Sequence, residues 1–207
     1  MPTADPPPAH SFGSITVNLV HDDIADRKAD ALVNAASTRL EMAWGVSGAL
    51  LARGGVEIHH QAIAHAPAPL GSVLRTRPGT LATRYIYHAV VVEPENREGA
   101  AVGDVIAAVR GVLACALTDG ARTLAMPLLG AGRGGLGASR SLEAMLEAIE
   151  DVSAAYTWEL AIDIVVRNAQ EFTEAATVFR EFGQKASREA EDAQLEADFL
   201  KLVLRKQ

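Results

Sequence analysis

The chain has 207 residues, of which 49% are hydrophobic and 5% aromatic, with a net charge of −7 and one cysteine, Cys115. That length and apolar content suit one domain with a core of Val, Leu, Ile and Ala, and no run approaches the roughly 18 apolar residues of a membrane helix. The negative balance argues against general attraction to a nucleic-acid backbone, and a single cysteine excludes an internal disulfide framework.

Residues 1–13 carry Pro2, Pro6, Pro7 and Pro8 with little to bury, which reads as a disordered arm. They show no basic region followed by an apolar run, so no signal peptide is expected, and the cysteine count fits a reducing cytoplasm. Alternation predicts a strand over 15–20, and a short buried strand over 31–33 leads into Asn34-Ala35-Ala36-Ser37. A helical pattern runs from Val46 to Ala66, broken at Gly54-Gly55 and ended by Pro67 and Pro69. Strands over 72–76 and 85–92 flank a turn at Pro78-Gly79. In the second of them, His88 reads as a strand histidine. A helix follows over 101–117, where Cys115 reads as a buried structural thiol. A strand over 123–129 feeds a loop with five glycines, and a helix covers 139–156. A last strand over 161–166, with Trp158 packing before it, and a last core helix over 171–182 complete the pattern. Gly183 reads as a helix stop. Residues 184–207 then form a polar helical segment with Leu195, Phe199, Leu202 and Val203 on one side. Two roles stay open for it: an extra helix packed on the domain, or a helix for a homodimer or another partner. Alternating strands and helices predict an α/β sheet covered on both faces, with ligands beyond the carboxyl ends of the strands.

Two stretches carry chemistry. The first is Gly130-Ala131-Gly132-Arg133-Gly134-Gly135-Leu136-Gly137, between an apolar strand and a helix start. Glycines let the backbone approach a ligand with its N–H groups turned inward, and a helix N-terminus adds positive potential. Three arginines and no acid lie between Arg122 and Arg140. The stretch also parses as the dinucleotide fingerprint Gly132-x-Gly134-x-x-Gly137, but that fingerprint usually opens a strand–helix–strand unit with an acidic partner about 20 residues on, and here it comes late, with only 70 residues after it. The second stretch is Trp44-Gly45-Val46-Ser47-Gly48, again before a helix and downstream of Asn34, whose amide suits sugar hydroxyls. Both point to a phosphate-bearing ligand. His59 and His60 have no metal-ligand partner at helical spacing, so neither a metal nor a cofactor is expected.

In order, the chain reads Asp23-Ile24, Asp30-Ala31-Leu32-Val33-Asn34-Ala35-Ala36, Gly45-Val46-Ser47-Gly48-Ala49-Leu50 and Pro127-Leu128-Leu129-Gly130-Ala131-Gly132-Arg133-Gly134-Gly135. Over roughly residues 15–182 this resembles the macrodomain family of ADP-ribose-binding modules. The resemblance implies a three-layer α/β/α sandwich with a mixed central sheet over 14–182, with the C-terminal helix as an addition. It implies that Asp23 meets the adenine amine and Ile24 lines the base. Asn34 would meet the distal ribose, and Gly45, Val46, Ser47 and Gly48 would offer N–H groups to one phosphate. Gly130, Ala131, Gly132, Arg133 and Gly134 would wrap the diphosphate from the other wall. The implied ligands are ADP-ribose and ADP-ribosylated proteins or metabolites.

The chain departs from the family at several places. Ser37 stands where Asn is common, Ala131 where Ser or Thr is frequent, and Asn168 near where an aromatic often stacks on adenine. Ala43-Trp44 replaces part of a glycine-rich run; Trp44 could cover the ribose, stack on a leaving group or block the site. Ser47 stands where one branch of the family has an Asp that activates water, and a serine has no comparable basicity at pH 7. Two functions stay open: an ADP-ribosyl hydrolase or O-acetyl-ADP-ribose deacetylase using Asn34 and Ser47, and a non-catalytic ADP-ribose reader.

Overall fold

The computed structural model of the chain describes residues 7–96, 99–155 and 157–204, the side chains of 186, 187 and 189–204 excepted. The apolar runs at 85–92 and 123–127 become strands buried on both faces, which is why they are continuous, whereas the strand that begins at Ile15 alternates between buried and half-buried residues. The strands are β1 (His10–Phe12), β2 (Ile15–His21), β3 (Ala31–Ser37), β4 (Val73–Thr76), β5 (Tyr85–Val92), β6 (Thr123–Pro127) and β7 (Leu160–Val166). They form one sheet in the order β1-β2-β7-β6-β3-β5-β4. The five inner strands run parallel, and β1 and β4 are antiparallel edges.

The helices are α1 (Gly45–Gly54), α2 (Val56–Ile63), α3 (Val102–Asp119), α4 (Ala138–Ser153) and α5 (Ala169–Leu204). Successive residues of β3 face opposite layers. Ala31 and Val33 pack into the larger core with Val109 of α3 and Leu142 of α4, whereas Leu32 packs with Leu50 of α1 and Ile58 of α2. The result is a three-layer α/β/α sandwich with a mixed central sheet. The glycine pair Gly54-Gly55 separates α1 from α2, as its composition predicts.

Three expectations are corrected. The arm predicted over 1–13 contains β1, paired to β2 from His10↔Val17 to Phe12↔Ile15, while residues 1–6 lie outside the described residues. The strand predicted over 31–33 continues to Ser37, because β3 pairs with β5 along its whole length. Asn34 is therefore inside a strand rather than in the loop after it. Gly183 does not stop the last helix; α5 runs unbroken to Leu204, so the C-terminal segment extends a core helix instead of forming a separate one. The glycine serves close approach: a Cβ there would collide with the His10 ring. That ring stacks on Phe179 at 4.3 Å and bonds the Phe179 carbonyl at 2.6 Å, tying the edge strand to α5. The predicted side of Leu195, Phe199, Leu202 and Val203 lies outside the described side chains.

Candidate functional site

A cleft of about 860 Å³ opens beyond the carboxyl ends of the parallel strands. Asp22, Ser37, Glu93, Leu128 and Val166 bring the ends of all five inner strands to its lining. Ligand sites in open α/β sheets lie at this edge because strand ends and helix starts converge there.

The first wall is the segment 41–49. Trp44 precedes α1 in extended conformation, and Gly45 turns the chain with φ +56°. The first turn of a helix leaves its N–H groups without intrahelical carbonyls, so Gly45, Val46 and Ser47 present N–H groups beside the cleft. Gly48 does not: its N–H bonds the Trp44 carbonyl at 3.1 Å, and Gly48 is not among the lining residues. It is small for packing, since a Cβ there would lie 3.2 Å from the Ala43 carbonyl oxygen.

The second wall is the glycine loop. It closes on itself through Leu136 N–H to the Gly130 carbonyl at 3.1 Å and Gly135 N–H to the Gly132 carbonyl at 3.0 Å. Ser141 of α4 holds the preceding turn by donating to the Leu129 carbonyl at 2.7 Å. Gly130, Ala131, Gly132, Arg133 and Gly134 all line the cleft. Among the described residues the N–H groups of Ala131, Gly132 and Arg133 have no protein acceptor. The α4 N-terminus does not line the cleft, because Gly135, Leu136 and Gly137 intervene; the helix start that does is that of α1.

At one end, Asp23 caps a 3-10 turn over Ile24–Asp26 by accepting from Ala25 N–H at 3.0 Å, and Ile24 is buried beside it. Arg167 lies 3.7 Å from the Asp23 carboxylate. Asn168 caps α5, accepting from Gln170 N–H at 2.8 Å and Glu171 N–H at 3.0 Å, and also lines the cleft. At the mouth, the Arg133 guanidinium sits over the ring of Trp44, which is 70% exposed.

Asn34 is the main correction to the predicted site. It is 1% exposed, does not line the cleft, and spends both ends of its amide beneath the floor. Its Nδ2 is 3.0 Å from His88 Nδ1, and its Oδ1 accepts from Ser47 Oγ at 2.8 Å. Parallel register places Asn34 directly opposite His88. His88 Nε2 is 3.0 Å from Thr76 Oγ1. The imidazole is 0% exposed, and burial pushes its pKa down to about 4, so it is neutral at pH 7. Ser37, not Asn34, supplies a strand side chain at the cleft. Sequence reasoning missed the carboxylates Asp22, Glu41, Glu93 and Glu171, which line it too. The only signal for Asp22 and Glu93 was a position directly after a strand, which many surface acids share.

The other singled-out residues are structural. Trp158 donates to the Ala121 carbonyl at 3.0 Å and carries the Arg122 guanidinium 4.0 Å over its ring. Cys115 is half-buried against the larger core, and burial raises its thiol pKa. Among the described residues no His, Cys, Asp or Glu cluster could hold a metal ion.

The Macro domain family model matches residues 33–145. An uncharacterized protein of Pyrobaculum aerophilum is 32% identical over 82% of this chain and 94% of its own length. An uncharacterized protein of Mycobacterium tuberculosis is 34% identical over 65% of this chain, which spans 37% of that longer relative. Among solved structures, the Oceanobacillus iheyensis macrodomain with ADP superposes with TM-score 0.77 at 18% identity, covering 86% of this chain and 97% of that one. The Trypanosoma brucei macrodomain in complex with ADP-ribose does so with TM-score 0.69 at 21% identity, covering 78% and 68%. At these identities the structural likeness is one of fold.

Proposed function

This chain belongs to the macro domain family, and on that premise we propose that its cleft binds ADP-ribose and ADP-ribosyl groups. The observation that carries this is the pairing of two N–H arrays, the first turn of α1 and the loop Gly130–Gly134, on opposite walls of one cleft. Two such arrays suit a diphosphate, because backbone N–H groups and a helix start stabilise anionic oxygens without adding net charge. That explains how a chain of charge −7 takes an anionic ligand. Asp23, Ile24 and Asn168 border the end assigned to adenine, and Ser37 and Trp44 border the end assigned to the distal ribose. The ADP-bound Oceanobacillus iheyensis and ADP-ribose-bound Trypanosoma brucei macrodomains share the fold that forms this cleft. Calorimetry with ADP-ribose tests the assignment: saturable binding supports it, and no heat at millimolar ligand with folded protein overturns it.

Position 47 bears on turnover. The Ser47 hydroxyl is hydrogen-bonded to the Asn34 amide at 2.8 Å and has no basicity at neutral pH, so it offers an attacking water no general base. This favours a module that holds ADP-ribosyl groups over an ADP-ribosyl hydrolase or O-acetyl-ADP-ribose deacetylase. Incubation with a mono-ADP-ribosylated protein separates the two: retained label with measurable binding fits the reader, and stoichiometric release of ADP-ribose fits the hydrolase.

A further inference from the structure

Four polar side chains on β4, β5, β3 and α1 form one buried chain under the cleft: Thr76, His88, Asn34 and Ser47. None is more than 6% exposed, and only Ser47 reaches the cleft. A buried chain of this kind has few arrangements of its hydrogens. In one, Asn34 Nδ2 donates to His88 Nδ1, His88 Nε2–H donates to Thr76, and Ser47 donates to Asn34 Oδ1 at 2.8 Å. With the amide and the imidazole tautomer both reversed, Thr76 donates to His88, His88 to Asn34, and Asn34 to Ser47. Ser47 then donates to the Ala35 carbonyl, 3.2 Å away. The first arrangement commits the Ser47 hydrogen to Asn34 Oδ1, and the second leaves it within reach of the Ala35 carbonyl. With its hydrogen held in either way, Ser47 offers the cleft a lone pair.

Phosphate oxygens at neutral pH are acceptors, so this lone pair cannot hydrogen-bond them, whereas the neighbouring N–H groups can. A sugar hydroxyl is the complementary partner. We propose that His88, held by Thr76 and acting through Asn34, is a positioning residue that fixes the Ser47 oxygen as an acceptor for a hydroxyl of the ligand's distal ribose. The inference rests on ADP-ribose as the ligand. It divides labour within one turn of α1: backbone N–H groups take phosphate, and the Ser47 side chain takes the sugar.

The test is calorimetry with ADP-ribose and with ADP, which lacks the distal ribose, on wild type, Ser47→Ala, His88→Leu, His88→Gln and the Ser47→Ala/His88→Leu double variant. The expected result is an ADP-ribose affinity about tenfold weaker in Ser47→Ala, the size of one hydrogen bond. His88→Leu follows in the same direction and His88→Gln restores the affinity. ADP affinity stays within about twofold throughout, and the double variant is no weaker than Ser47→Ala, because His88 acts through Ser47. Equal losses for both ligands, or additive losses in the double variant, would overturn the proposal. Should His88→Leu fail to fold, Ser47→Ala decides alone: an unchanged preference for ADP-ribose over ADP overturns it. A wild type that binds neither ligand overturns the ligand assignment itself, whereas a wild type that binds ADP-ribose and ADP equally overturns only this inference.

Discussion

The guanidinium of Arg133 lies 5.7 Å from the ring centroid of Trp44. The two residues come from opposite walls, so the cleft is bridged at its mouth by one cation–π contact. Exposed contacts of this type contribute about 0.5–1 kcal/mol, less than a charged hydrogen bond to phosphate. A diphosphate in the cleft is therefore expected to draw Arg133 inward and uncover the ring. ADP-ribose is expected to change Trp44 fluorescence. The change persists in Trp158→Phe, which leaves Trp44 as the only tryptophan, and vanishes in Trp44→Phe. A ligand-dependent signal that survives Trp44→Phe would place the response elsewhere.

The glycines of the second wall are not equivalent. A Cβ on Gly132 meets nothing within 4 Å, whereas one on Gly134 would press against the Gly130 backbone at 2.5–2.9 Å. Gly132→Ala is expected to keep the wild-type melting temperature. Gly134→Ala forces the loop open, and overpacking of this kind costs about 1–3 kcal/mol, a fall on the order of 5 °C for a domain of this size. Thermal unfolding of the two variants checks the contrast.

His88 makes stability depend on acidity. Its folded pKa, about 4, lies below the ordinary 6.5 because burial disfavours the cation. The unfolded chain takes up the proton first. The contribution is therefore complete above pH 6.5 and is lost as pH falls from 6.5 toward 4. Between pH 7.5 and 4.5, wild type is expected to lose roughly 2–3 kcal/mol more than His88→Gln, which cannot titrate there. Denaturant midpoints at the two pH values measure the difference.

Gly183 and His10 form the seam between the edge strand and α5. Because the His10 ring occupies the place of a Cβ on Gly183, Gly183→Ala is expected to displace the ring from the Phe179 carbonyl and free β1. Amide exchange in β1 reports the release, and His10→Ala, which removes the same tie to Phe179, is expected to speed exchange there as well. Unchanged protection in Gly183→Ala alone would show that the seam yields without loss of pairing.

The parallel sheet was readable because its strands are buried on both faces, which leaves apolar runs such as Tyr85–Val92 that no surface element needs. The glycine loop and Gly45 were readable because turns at positive φ, as at Gly45, Gly130 and Gly135, admit few other residues. Asn34 and His88 were not readable as a pair. Each looks like an isolated polar residue in its own strand, and only the register that sets one opposite the other reveals that they satisfy each other. The same register hides Asn34 and leaves Ser37 at the cleft. Gly183 has the composition of a helix stop but the environment of a contact, and that environment is created by His10, far away in sequence.

The most direct measurement is ADP-ribose calorimetry on wild type and Gly132→Glu. The open space around Gly132 lets the variant fold, while its carboxylate enters the place assigned to the diphosphate. Like charges about 4 Å apart near a protein surface repel by roughly 4 kcal/mol, so affinity is expected to fall about a thousandfold with the melting temperature unchanged. A folded Gly132→Glu protein that binds ADP-ribose as wild type does would contradict the placement of the diphosphate between the glycine loop and α1.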